Sequence, residues 1–75
     1  MDLQEFIKNV ATCFEDTDPS EIKADTVFKD LDEWSSLTTL ELIALAKTKY
    51  SKTITGKDIR QSNTVEDLFN VLVSK

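Results

Sequence analysis

The residues best suited to chemistry in this chain are two serines in Trp34-Ser35-Ser36-Leu37, a stretch that runs straight into Thr38-Thr39-Leu40-Glu41-Leu42. Their hydroxyls stand at the mouth of the most apolar helical segment in the sequence. A serine there lies beside backbone N–H groups that have no partner within the helix. It also meets the positive end of the helix dipole. A phosphodiester hung on such a hydroxyl would be stabilised by the groups that bind free phosphate at helix starts. The same position equally suits an ordinary N-cap, in which the serine oxygen accepts one backbone N–H and does nothing more.

Other chemistry is scarce. The chain has no His, which removes the commonest general base, the commonest zinc ligand and any Ser-His-Asp arrangement. Cys13 is the only cysteine, so no intrachain disulfide forms. It falls among Phe6, Val10 and Phe14 in a helical pattern and reads as a small buried hydrophobe. Gly56 is the only glycine, too few for a Gly-rich phosphate loop. Asp30, Asp32 and Glu33 form one acidic knot, Asp16 and Asp18 another. Neither has the register or central Gly of a calcium loop, and both read as solvated surface. No apolar pocket is indicated that would push two carboxylate pKa values apart. The expectation is a protein that is not an enzyme and holds no metal.

Length and composition set the elements that must position these serines. With 75 residues, 40% of them hydrophobic, the chain supports one domain, residues 1–75, with one small core. A domain of this size buries only about 60% of its unfolded surface. One Gly and one Pro argue against the many turns of an all-β fold. The net charge of −5 is uneven: residues 1–34 hold ten acidic and three basic groups, residues 35–75 four acidic and six basic. A net acidic surface disfavours nucleic acid and anionic membrane and suits a basic protein partner. Asp2 and Glu5 stand where a signal peptide would be basic, and no long apolar run follows. No stretch approaches the ~20 apolar residues of a membrane span. The expected compartment is the cytoplasm and the expected state a monomer.

The pattern predicts a first helix over 2–14, with Leu3, Phe6, Ile7, Val10 and Phe14 on one face. A long connection, 15–35, follows. Within it Asp18 caps a short turn that begins at Pro19, and Ile22, Val27, Phe28 and Leu31 serve as loop anchors. A second helix runs from Ser36 to Tyr50 and is apolar nearly all round, through Leu37, Leu40, Leu42, Ile43, Ala44, Leu45 and Ala46. Such a helix is either buried on several sides or leaves apolar surface to a partner. Ser51 to Thr53 form its exit. Thr55 and Asp58 suggest a capping box for a short third helix, with Ile54 and Ile59 facing inward. Thr64 and Asp67 repeat that spacing before a fourth helical stripe, Val65, Leu68, Phe69, Leu72 and Val73. The expected fold is an all-α four-helix bundle, three longer helices plus one short, with a long loop between helices one and two.

At this point the chain resembles the acyl carrier protein family, which includes the peptidyl carrier domains. The matching residues are Leu31-Asp32-Glu33-Trp34-Ser35-Ser36-Leu37, Thr39-Leu40-Glu41-Leu42-Ile43, Tyr50, Ile54-Thr55 and Thr64-Val65-Glu66-Asp67-Leu68. The resemblance covers essentially the whole chain. It implies that Ser36, aligned on the Leu that follows it, carries a 4′-phosphopantetheine arm. A phosphopantetheinyl transferase would attach the arm from coenzyme A, and its thiol would hold an acyl or aminoacyl group as a thioester. Loading and acyl-transfer enzymes would then be the partners.

The resemblance places Leu37, Leu40, Glu41 and Ala44 on the partner-facing side of the second helix. Trp34, Ser35, Ile54 and Ile59 are added to that partner surface, with Trp34 also packing under the loop before the anchor. Two departures stand out. Ser35 occupies the position where the family usually has Asp, which helps the transferase recognise its site. Thr38, Lys47 and Lys49 stand where acidic residues are common. The alternative is a carrier-like bundle that takes no arm and works only as a protein-interaction module.

Overall fold

The computed structural model, which describes residues 2–75, is a small all-α bundle. Four helices occur in order: α1 (Leu3–Ala11), α2 (Ser36–Tyr50), α3 (Gly56–Gln61) and α4 (Val65–Val73). The described residues include no β-strand. α1 packs on both α2 and α4, and the short α3 bridges α2 and α4. One core runs through all four: Phe6, Ile7 and Val10 from α1, Leu42, Leu45 and Ala46 from α2, Ile59 from α3, and Val65, Leu68 and Leu72 from α4. Phe6 of α1 joins α2 to α4, its ring 5.9 Å from Tyr50 and 5.5 Å from Phe69.

Local sequence sets most of the helix starts. Asp2 caps α1 by accepting the Gln4 N–H. Thr55 with Asp58, and Thr64 with Asp67, form reciprocal capping boxes for α3 and α4, with Asp in the place usually taken by Glu or Gln. The side chain of Asp18 accepts the Ser20 N–H ahead of a single 3-10 turn, Pro19–Glu21, with Pro at its first position. α2 ends at Ser51, whose φ of 54° is left-handed, a conformation that usually calls for Gly.

α1 is shorter than the predicted 2–14. After Ala11 the backbone tightens to bonds three residues apart, Thr12 to Asn9, Cys13 to Val10 and Phe14 to Ala11. The Thr12 hydroxyl also donates to the Asn9 carbonyl at 2.6 Å, occupying an acceptor the helix would otherwise extend through. Cys13 and Phe14 stay buried on this tighter turn.

The long connection is tethered, though not by all its predicted anchors. Ile22 and Phe28 are fully buried and Leu31 half-buried, but Val27 is 39% exposed. Phe28–Asp30 forms a second 3-10 turn that the irregular apolar spacing did not announce. Val27 instead contributes its backbone, forming an isolated antiparallel bridge with Thr64. Next to that bridge the Thr26 carbonyl accepts from Val65 N–H at 3.0 Å and the Ala24 carbonyl from Glu66 N–H at 2.9 Å. The loop thereby satisfies the first two amides of α4, which no residue within the helix could.

Candidate functional site

The start of α2 is built around Ser35. Its backbone is extended and its hydroxyl accepts the Thr38 N–H at 3.4 Å, while the Thr38 hydroxyl accepts the Ser35 N–H at 2.7 Å. Thr38 is only 5% exposed, and its hydroxyl also lies 2.9 Å from the Ser35 carbonyl as donor. This capping box went unread in the sequence because Thr, not an acid, occupies its third helical position; the three-residue spacing was its only signal. Thr38 is therefore a buried structural residue, which corrects its expected place among the groups that set the charge of the exposed face.

With Ser35 committed to capping, Ser36 is released. It is the first residue of α2, its side chain is exposed, and its hydroxyl has no hydrogen-bond partner among the described residues. The N–H groups of Ser36 and Leu37 likewise have no acceptor among them, in contrast to the first two amides of α4. α3 also leaves its first amides to solvent, but its first residue is Gly56. Among the four helices only α2 begins with a hydroxyl residue. The cap thus falls on Ser35, and the exposed hydroxyl without a partner among the described residues on Ser36. The residues present fit a phosphodiester-linked arm: the oxygen is accessible, unengaged and beside unpaired N–H groups at the positive helix end.

Beyond Ser36 one face of α2 is apolar and open. Leu37 and Leu40 are 64% and 62% exposed, Ala44 is exposed and Glu41 half-buried. Lys47 and Lys49, further along the helix, are exposed too. The opposite face, Thr38, Leu42, Leu45 and Ala46, is buried.

Ile54 and Ile59, expected in part on the partner surface, are 4% and 1% exposed and belong to the core. Their apolar side chains are buried with the rest of the core, so the inward reading of both is the one the structure adopts. Trp34 is half-buried. Its ring stacks on Phe14 with centroids 6.4 Å apart and meets Phe28 edge-on at 5.2 Å, so most of it underlies the approach to the anchor.

Glu33, next to Trp34, was read only as part of an acidic knot. One of its carboxylate oxygens accepts the Asp16 N–H at 2.8 Å and the Thr17 hydroxyl at 2.7 Å. With Asp16, Thr17, Glu21, Asp30, Leu31 and Asp32 it lines an open groove of about 460 Å³. Among the described residues no three such groups come together as a metal ion would need. Cys13, on the α1 exit, is buried. Burial pushes its thiol pKa up, and the Glu41 carboxylate adds to the effect, so it is not a poised nucleophile.

No protein-family model matches this chain, and neither a curated protein nor a solved structure matches it. Among the described residues no helix is long and apolar enough to cross a membrane.

Proposed function

We propose that this chain is a carrier protein that holds acyl or aminoacyl groups as thioesters on a 4′-phosphopantetheine arm attached to Ser36. The observation that carries the reading is the division of labour between the two serines: Ser35 caps α2, and Ser36 presents a free, exposed hydroxyl at its first position. The sequence resemblance to acyl carrier proteins, spread over the whole chain, supports the same reading. A phosphopantetheinyl transferase would supply the arm from coenzyme A. The flexible arm would let one small protein visit its loading and acyl-transfer enzymes in turn, and a cytoplasmic setting belongs to this reading. Leu37, Leu40 and Ala44 offer those enzymes an apolar docking face beside the anchor.

Ser35 favours a second reading, in which the bundle takes no arm and the same apolar face binds a protein partner. Intact mass after co-expression with a broad-specificity transferase separates the two. A mass increase matching one pantetheine arm, lost in Ser36→Ala, is the expected result. An unchanged mass after exhaustive treatment, or loading that survives Ser36→Ala, overturns the assignment.

A further inference from the structure

We infer that Glu33 is a positioning residue for the anchor serine, acting as a clasp that holds the approach to α2 against the exit of α1. The inference rests on the carrier reading of Ser36. The polypeptide between Phe14 and Ser35 is long, and the last residues before the anchor could take many paths. Glu33 removes that freedom from both sides. Its side-chain oxygen takes one backbone and one hydroxyl hydrogen bond from Asp16 and Thr17. Its own carbonyl lies 3.5 Å from the Thr38 hydroxyl, inside the capping box. Trp34, the next residue, is pinned on Phe14 and Phe28. Residues 16 and 17 are thereby linked through the Glu33 side chain and its backbone carbonyl to the turn that begins α2, while Trp34 ties the same approach to Phe14 and Phe28.

Both clasp bonds are accepted by one oxygen, so they need an acceptor and not a charge. Gln offers that acceptor. It also relieves repulsion from Asp16, Glu21, Asp30 and Asp32 around the groove. A carboxylate that instead met a basic patch on the transferase would fail equally as Gln or Ala.

The test measures arm transfer to the full chain by a broad-specificity transferase, for wild type, Glu33→Ala, Glu33→Gln, Thr17→Val and the Glu33→Ala/Thr17→Val pair. An opened clasp leaves fewer molecules in the form the transferase binds, so KM rises while kcat holds. The expected result is about a tenfold rise in KM for Glu33→Ala, the scale of losing two neutral hydrogen bonds. Glu33→Gln should load as wild type. Thr17→Val should lose part of the effect, with no further loss when added to Glu33→Ala. Far-UV circular dichroism confirms that each variant is folded at the assay temperature.

Equal KM for wild type and Glu33→Ala, or Glu33→Gln as poor as Glu33→Ala, overturns the clasp while leaving the carrier reading intact. Additive losses from Glu33→Ala and Thr17→Val overturn it as well. A wild-type chain that takes no arm overturns the carrier reading and the clasp with it.

Discussion

Ser35 and Ser36 are adjacent, chemically identical and differently used. Ser35→Ala removes a cap hydroxyl and should lower unfolding stability by ~1 kcal/mol, within the usual range for cap serines. Ser36→Ala removes an exposed hydroxyl that has no partner among the described residues and should change stability by less than about 0.5 kcal/mol, as for other exposed substitutions. Urea unfolding of the two variants checks this contrast; equal losses would mean that the cap is shared. Position 35 also invites substitution by Asp. Asp caps helices as well as Ser, and position 35 is exposed, so Ser35→Asp should keep the fold. On the carrier reading it also places beside Ser36 the carboxylate that acyl carrier proteins usually have there. The expected outcome is a faster initial rate of loading by a broad-specificity transferase. An unchanged or slower rate would show that Ser35 does not limit recognition.

At the scale of elements, what could be read from sequence is what is local. The pairs Thr55/Asp58 and Thr64/Asp67 announce α3 and α4 because each capping box is closed within four residues. The stripes of α1 and α4 identify their buried faces because polar residues fill most of the other side; Val73, expected in the α4 stripe, is the exception at 52% exposed, since it lies in the last turn beyond the cover of α1 and α3. α2 gives no such contrast: Leu37, Leu40 and Ala44 are as apolar as Leu42, Leu45 and Ala46, and only the placement of α1 and α3 decides which set is covered. The connection from Thr12 to Ser35 was harder still, since its anchors are fixed by distant partners and follow no period. Phe28 and Val27 show the difference. Phe28 is fully buried and its ring supports Trp34; Phe28→Ala should cost about 3–5 kcal/mol, enough to leave so small a domain largely unfolded. Val27 acts through its backbone, so Val27→Ala should shift stability by less than about 0.5 kcal/mol. Thermal melts of both variants test the distinction, and a large loss for Val27→Ala would mean that its side chain is an anchor after all.

For the whole molecule, charge sets two expectations. Three carboxylates have lowered pKa values: Asp18 through the Ser20 N–H, Asp58 through the Lys75 ammonium at 2.9 Å and then the Thr55 N–H, and Asp67 through the Thr64 and Asn63 N–H groups. A carboxylate lowered in the folded state adds stability that is complete above its unfolded pKa, about 3.9, and is lost as pH falls through the folded value. The urea midpoint should therefore be steady from about pH 7 to 5 and fall below about pH 4, with the fall reduced in Asp67→Asn. A midpoint that instead rose on acidification would show that repulsion among the ten acidic groups of residues 1–34 outweighs the caps. The second expectation concerns docking. The open face of α2 is mainly apolar, with Glu41 half-buried on it and the exposed Lys47 and Lys49 further along the helix. Charge pairs at a surface are screened over about 8–10 Å at physiological salt, whereas apolar burial is not weakened in this way. Affinity for a natural partner should change little between low and high salt. A steep loss would move the interface to the acidic groove of the long connection.

The amides of Val65 and Glu66 find their acceptors in carbonyls laid down in the first half of the chain. During synthesis the carbonyls of Ala24 and Thr26 therefore lack these partners until α4 has left the ribosome. Translation of the N-terminal half cannot by itself lock the loop in place, and a pause before residue 65 leaves that loop open to proteases and chaperones. Protein made at a steady pace would close as a unit, the long connection against α4, instead of assembling helix by helix in chain order.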